Sequence, residues 1–457
     1  MRQLATLEDL RRILARRSGA SAAELASALN VSVPTLHRLL QALPDEVVGA
    51  GRARRARYGL RRPLRGVSGT LPLYAVDGQG RAELLTQVSP LRPHGCHADL
   101  GGTPWPVPDN SRDGWWDGLP YPLYDIRPQG YMGRQFARAE HRQLGVSPDP
   151  STWNDDDVLF VLSRAASDAS GNLILGDAAC ERWLATKMTP PAPVDSAFTG
   201  AHYAGLAEHA IAAGVAGSSA AGEFPKFAAL RELPGSDTPH VLVKFSGADD
   251  SPTVRRWADL LVCEHLALQR VGLMPGATSA ASRIVAHAGR TFLELERFDR
   301  HGRFGRSPLC ALDALQAALL GEATSDWTRL ARRLEGLKLV GANDVDRIDH
   351  LWWYGHLIGN TDMHTGNLSF HPQGTLALAP AYDMLPMLHA PLPGGELPAR
   401  SFEPPLPQPP QRPAWETACR AALDFWQAAA QDTRISESFR ALCEGNGRRL
   451  AEAAQRL

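Results

Sequence analysis

Gly359-Asn360-Thr361-Asp362-Met363-His364-Thr365-Gly366-Asn367-Leu368-Ser369-Phe370, followed by Ala381-Tyr382-Asp383-Met384, decides how this chain is read. An Asp is followed five residues later by an Asn, and a second Asp arrives after a short apolar strand, Thr375-Leu376-Ala377-Leu378-Ala379. That order suits phosphoryl transfer. In such a layout one carboxylate would accept the proton of an attacking hydroxyl, and Asp362 is the candidate. An amide oxygen and a second carboxylate, with Asn367 and Asp383 as candidates, would hold Mg²⁺ against phosphates. The hairpin-like return of the strand predicts Asp383 beside Asn367. A solvated turn is the alternative. The apolar flanks Leu357-Ile358-Gly359 and Leu368-Ser369-Phe370 oppose it by burying the loop. His364 either orients this loop or is a satisfied packing histidine.

Upstream, Val241-Leu242-Val243-Lys244-Phe245 is a short apolar strand with one Lys. In a protein-kinase-like site a strand Lys reaches the α/β-phosphates. A helix is predicted from about 253 to 270, and Glu264 falls on its apolar stripe with Trp257, Leu260, Leu261 and Leu268. A carboxylate on a buried face needs a partner, and Lys244 is the expected one. The chain carries 48 Lys and Arg together, yet only Lys187, Lys226, Lys244 and Lys338 are Lys. In so Arg-biased a sequence, a retained Lys points modestly to a need for a compact ammonium. Residues 214–226 form a Gly/Ala/Ser loop ending in Lys226. Its backbone N–H groups suit phosphates. It lacks the Gly-Lys-Ser/Thr of a Walker A loop, and a plain linker is the other reading. Residues 291–300 begin as an alternating strand at the position of a hinge, where backbone groups would face an adenine.

The bulk numbers set limits. With 457 residues, 44% apolar and 21% charged, the chain can build two or three domains. A net charge of −1 means that any nucleic-acid role must come from a local patch. The six widely spaced cysteines include no CxxC pair, which predicts reduced thiols, no zinc site and a cytoplasmic protein. Residues 1–17 carry charges throughout, unlike a signal peptide, and no apolar run approaches the roughly 20 residues of a membrane span.

Residues 1–62 read as a winged helix-turn-helix. Over residues 4–17, Leu4, Leu7, Leu10, Ile13 and Leu14 repeat at helical spacing. Ser21-Ala22-Ala23-Glu24 is a capping box opening a second helix through Leu29. Ser32 caps a third helix through Leu43, with Pro34 in its first turn. Its apolar stripe leaves Thr35, His37, Arg38 and Gln41 as recognition residues. Val47-Val48, a turn from Gly49 to Gly51 and Arg57-Tyr58-Gly59-Leu60 read as a β-wing. Arg52, Arg54, Arg55 and Arg57, with Arg61, Arg62 and Arg65, supply a phosphate-binding patch. A protein-interaction domain with a solvated Arg run is the alternative. Residues 63–65 read as a linker. Residues 71–76 and 82–85 predict a β-hairpin, 89–134 packed irregular loops rich in aromatics, and Asn154 the cap of a helix. Short strands and helices alternate over 200–300, and helices dominate after 308. The nine prolines within 391–413 predict an ordered loop.

Taken together, these motifs resemble the HipA family of serine/threonine kinases, toxin components of bacterial toxin–antitoxin modules. The resemblance covers roughly residues 66–390. It rests on 358–370, 381–384, Glu296-Arg297-Phe298-Asp299-Arg300 and, more loosely, the loop from Ser219 to Lys226. It implies that Asp362 is the catalytic base, that Asn367 and Asp383 bind Mg²⁺ and that Lys244 contacts ATP. Glu296 and Phe298 fall where family members hold adenine. Ser219 matches the autophosphorylated loop serine, with neighbouring Ser218 leaving the register open, and Gly222 and Lys226 complete that loop. The fused N-terminal domain resembles the single-chain, YjjJ-like subgroup, so a separate antitoxin is either present or replaced in cis. The expected fold is α+β: a winged helix-turn-helix (1–62), a HipA-like N-lobe (66–300) and a helical C-lobe (301–457) of a two-lobed kinase-like fold. The expected partners are a protein substrate and DNA. A DNA-binding regulator that senses nucleotide, or a small-molecule kinase, are the rival readings.

Overall fold

The computed structural model describes residues 5–51, 55–66, 69–212, 224–233 and 235–457. These form two compact units. The first comprises Met1–Asp77, Arg81–Arg127 and Ser151–Thr189; the second comprises Gly78–Gly80, Pro128–Pro150 and Pro190–Leu457. The segment expected as one N-lobe, 66–300, is thus distributed over both units. No helix among the described residues is long and apolar enough to cross a membrane.

The first unit opens with three short helices, Leu7–Leu14, Ala22–Ala28 and Val33–Gln41. Each start is chemically marked. Thr6 with Asp9 and Ser21 with Glu24 form capping boxes, and Ser32 caps the third helix with Pro34 in its first turn. The third helix stops at Gln41, short of the expected Leu43, because the chain turns back there to place Leu43 in the core. Leu10, Leu14, Leu25, Leu36, Leu40, Val47 and Leu60 join Leu43 in one apolar cluster. A three-stranded antiparallel sheet, in the order Ala20–Ser21, Arg57–Leu60 and Val47–Ala50, closes it. The middle strand pairs Gly49 with Tyr58, so Gly49 belongs to the strand and not to the expected turn.

Residues 63–65 are not a free linker. Leu64 is buried, Arg62 pairs with Asp156 at 2.5 Å and donates to the Leu91 carbonyl at 2.6 Å, and Arg65 pairs with Asp157. Those aspartates fill the first turn of helix Asp155–Ala165, capped by Asn154 as expected. The expected hairpin is present as Leu71–Val76 and Ala82–Pro90 within a five-stranded sheet. In the aromatic region, Trp115–Trp116 is a short strand and Tyr121–Asp125 a short helix, where only loops were expected.

The second unit is built on a four-stranded antiparallel sheet ordered Ser282–His287, Arg290–Glu296, His240–Phe245 and Lys226–Leu230. Side chains alternate between its faces. Tyr203 and Ala207 of helix Thr199–Ala212 pack with Phe227, Val243, Phe245 and Phe292 on one face. Helix Pro252–Val271, capped by Ser251 with Pro252 in its first turn, buries Leu260, Leu261 and Glu264. Beyond the sheet the unit is mostly helical: Trp327–Gly336, Ala342–Leu357, Arg412–Gln431 and Glu437–Gln455. A small sheet of Cys310–Ala311, Ser369–Pro372 and Leu376–Leu378 carries the loop quoted above. The proline-rich stretch folds back, since Trp415 donates to the Pro405 carbonyl at 2.8 Å. Helix Gly130–Leu144 was not foreseen; it starts at a glycine with positive φ and has no side-chain cap.

Candidate active site

The strand His240–Phe245 and the helix Pro252–Val271 bring two charges together in the core. Lys244 Nζ donates to Glu264 Oε1 at 2.7 Å and Oε2 at 2.8 Å, and also to Asp383 Oδ1. Glu264 is fully buried, while 27% of the Asp383 side chain is exposed. Burial opposes the Lys244 charge, but Asp383 and Glu264 outweigh it and raise the ammonium's pKa. Burial pushes the Glu264 carboxyl up, and Asp383 adds to the rise. Burial acts on Asp383 in the same sense, yet Lys244 and Lys226 outweigh it and hold its carboxyl below the usual range. Lys226 lies opposite Lys244 in the neighbouring strand.

The loop after helix Ala342–Leu357 is fixed by its own amides. Asn360 donates from Nδ2 to the Asp383 carbonyl at 3.0 Å, and its Oδ1 accepts from the Asp362 N–H at 3.0 Å. Asn367 Nδ2 donates to the Asp362 carbonyl at 2.9 Å. Its N–H₂ is thereby committed, and the Oδ1 end is left for another partner. Tyr382 OH donates to the Gly366 carbonyl at 2.8 Å, which draws the segment before Asp383 onto the turn holding Asn367. Trp327 Nε1 donates to the His364 carbonyl at 3.2 Å. His364 Nδ1 accepts from the Gly366 N–H at 3.1 Å, and its Nε2 lies 3.9 Å from Asp362 Oδ1. His364 thus both shapes the loop and faces the carboxylate. The Asp362 side chain is 55% exposed, open to an incoming hydroxyl.

Glu296 and Phe298 lie at the end of the strand Arg290–Glu296 and just past it. The register pairs Lys244 with Leu293 and Val243 with Glu294, which puts Glu294 and Glu296 on the sheet face opposite Lys244. Arg231 holds both, donating to Glu294 Oε1 and to Glu296 Oε1, each at 2.8 Å. What Glu296 presents toward the Lys244 side is therefore backbone. Phe298 stacks near Tyr382 at 5.9 Å between ring centres. Ser218, Ser219 and Gly222 lie outside the described residues, as do Arg52 and Arg54. In the first unit His37, Arg38, Gln41, Arg55 and Arg57 are exposed and Thr35 is half-buried beneath Arg38. Arg61 is turned inward instead, donating to the Pro44 and Asp45 carbonyls.

Asn360, Tyr382, Arg231 and Trp327 are the residues that reading the sequence left without a role. Only Asn360 carried a signal, its place two residues before Asp362.

Comparison with known proteins gives consistent matches. A family model described as the middle domain of YjjJ-like toxins matches residues 67–184, and a HipA-like C-terminal domain model matches residues 218–445. Toxin YjjJ of Escherichia coli strain K12 is 37% identical over 428 residues, 93% of either chain. Among solved structures, HipA of Shewanella oneidensis MR-1, determined with HipB and operator DNA, superposes with a TM-score of 0.50 at 15% identity, covering 85% of this chain and 97% of that one. The Helicobacter pylori proinflammatory kinase CtkA gives a TM-score of 0.35 at 12% identity over 51% of this chain and 90% of its own.

Proposed function

The chain belongs to the YjjJ-like family of HipA-type toxins, and from that premise we propose that it is an ATP- and Mg²⁺-dependent serine/threonine protein kinase with an N-terminal DNA-binding domain. The observation that carries the kinase reading is Lys244, anchored by Glu264 and touching Asp383, with Asp362 exposed on a loop tied to Asp383. In this reading Lys244 turns to the α/β-phosphates of a nucleotide whose adenine meets the backbone near Glu296 and the ring of Phe298. Asp362 accepts the proton of the attacking Ser or Thr hydroxyl.

The donor set fits Mg²⁺. Among the described residues no three His, Cys, Asp or Glu side chains gather to hold a metal. Mg²⁺ in phosphoryl-transfer sites takes one or two protein oxygens and completes its shell with phosphates and water. Asn367 Oδ1 and the Asp383 carboxylate would be those oxygens, and the ion when bound neutralises charge on the phosphates. Autophosphorylation at Ser219 would place negative charge in a loop suited to phosphates, expel it and switch the enzyme off.

The first unit's helices and antiparallel strands support a winged helix-turn-helix. Exposed His37, Arg38 and Gln41 on the third helix, with Arg55 and Arg57 on the wing, support DNA as its partner. A protein substrate, a separate antitoxin or its replacement in cis, and a cytoplasmic location belong to the same proposal.

Incubating wild type and Asp362→Asn with Mg²⁺ and γ-labelled ATP, then mapping phosphosites, tests the proposal. Label on wild type alone, at Ser218 or Ser219, supports it. Nucleotide bound without any transfer by wild type overturns it and leaves a nucleotide-sensing regulator.

A further inference from the structure

We propose that Asn360 is a positioning residue that sets Asp362 and Asp383 in register, a step that rests on the kinase reading above. The argument starts from its place in the fold. Asn360 is 5% exposed and follows Gly359, whose φ of +74° turns the chain off the end of helix Ala342–Leu357. Its own N–H is held by the Gly355 carbonyl at 2.9 Å, so its backbone is anchored to that helix. From that anchor one side-chain amide works in two directions. It donates to the Asp383 carbonyl and accepts from the Asp362 N–H, both at 3.0 Å. Asn367 then takes the Asp362 carbonyl at 2.9 Å. Three amide hydrogen bonds therefore run Asp383–Asn360–Asp362–Asn367 and link every residue assigned to the base and the metal.

A second observation stands apart from these bonds. Asp383 has φ +54°, a left-handed backbone uncommon outside glycine, which Asp tolerates better than most residues and which a hydrogen bond to its carbonyl would help hold. The Asp383 carbonyl is the group that Asn360 grips. Asn360 thus stabilises the backbone twist that aims the Asp383 carboxylate at Lys244.

Two substitutions separate the arms. Asn360→Asp keeps an oxygen for the Asp362 N–H but sets a second oxygen against the Asp383 carbonyl, loosening Asp383 selectively. Asn360→Ala removes both arms. The readouts are the Mg²⁺ concentration for half-maximal ATP binding by calorimetry, ATP binding without metal, and the transfer rate at saturating Mg²⁺. For Asn360→Asp we expect the Mg²⁺ requirement to rise about tenfold, metal-free binding to be unchanged and the saturated rate to fall by less than about threefold. For Asn360→Ala the saturated rate should also fall, by about a hundredfold.

A merely structural asparagine would lower the rate through the active fraction and leave the Mg²⁺ requirement alone. That result, in an otherwise active wild type, overturns the proposal and spares the kinase reading. A wild type whose ATP binding ignores Mg²⁺ and which transfers no phosphate overturns both. Melting curves identify a variant that does not fold. In that event the near-isosteric Asn360→Asp decides.

Discussion

Two buried charge clusters hang from the two faces of one four-stranded sheet, and they use different cations. On one face Lys244 serves Glu264 and Asp383, carboxylates delivered by a helix and by a distant loop. On the other, Arg231 serves Glu294 and Glu296 from a single strand, with Arg283 and Tyr203 OH closing Glu294 at 2.8 and 2.7 Å. The guanidinium is a planar fork matched to fixed carboxylates, and its cluster fastens helix Thr199–Ala212 to the sheet. The ammonium is a point charge with three movable donors; each cluster has one carboxylate partly open to solvent, Asp383 at 27% and Glu296 at 21%. The Arg cluster holds its carboxylates by paired, directed bonds, whereas in the kinase reading Lys244 would exchange Asp383 for the phosphates of a nucleotide.

The largest expected effect comes from removing Lys244. Lys244→Met should lower phosphate transfer by about a hundred- to a thousandfold, and Lys244→Arg should not restore it, because a fork does not replace a point charge. Initial rates with γ-labelled ATP measure this. A fully active Lys244→Arg would erase the distinction between the clusters.

Arg231→Met attacks the Arg cluster. It leaves Glu294 buried with fewer partners, and denaturant unfolding should show a loss of about 3 kcal/mol. The transfer rate per folded molecule should change by no more than a few-fold. Collapse of that rate with stability intact would move Arg231 into the site.

A third buried group shows what happens with no carboxylate at hand. Burial, reinforced by Arg256, Arg400 and Arg449, pushes the His389 pKa down from 6.5 to about 4. Asn446 Nδ2 and His389 Nε2 lie 2.9 Å apart, and the edge of Phe439 packs on the ring. Because the folded pKa lies below the unfolded one, the unfolded chain binds the extra proton between these values. The contribution to stability is complete above pH about 6.5 and is lost as pH falls toward about 4. The loss at pH 5 should be about 2 kcal/mol. It should be largely absent in His389→Gln, and equal acid sensitivity in the two proteins would contradict this account.

Much of the site was readable because its chemistry is local in sequence. The Asp362 to Asn367 loop, the Lys244 strand and the Glu264 stripe each lie within one element, and one buried carboxylate demanded one cation. Arg231 was not readable: it reaches Glu294 and Glu296 across sixty residues of sequence, and nothing near it marks burial. Nor was the opposite facing of Glu296 and Lys244, which the strand register fixes. Helix Gly130–Leu144 was hidden behind a glycine start, whereas the helices capped by Ser21, Ser32 and Asn154 were found at their first residues. The arginine run from 52 to 65 looked uniform, yet the fold divides it.

That division sets the smallest effect. Arg57 is exposed, whereas Arg62 is spent on Asp156 and the Leu91 carbonyl. A phosphate contact releases counterions, so losing one should flatten the dependence of log affinity on log salt by about 1. Arg57→Ala should show that change on duplex DNA, and Arg62→Ala should leave the slope alone. If Arg62→Ala flattens the slope equally, the ion pair with Asp156 opens on DNA and Arg62 reaches a phosphate. The first unit's arginines would then exchange partners as Lys244 is proposed to do, and the contrast between fork and point charge would not extend beyond the sheet.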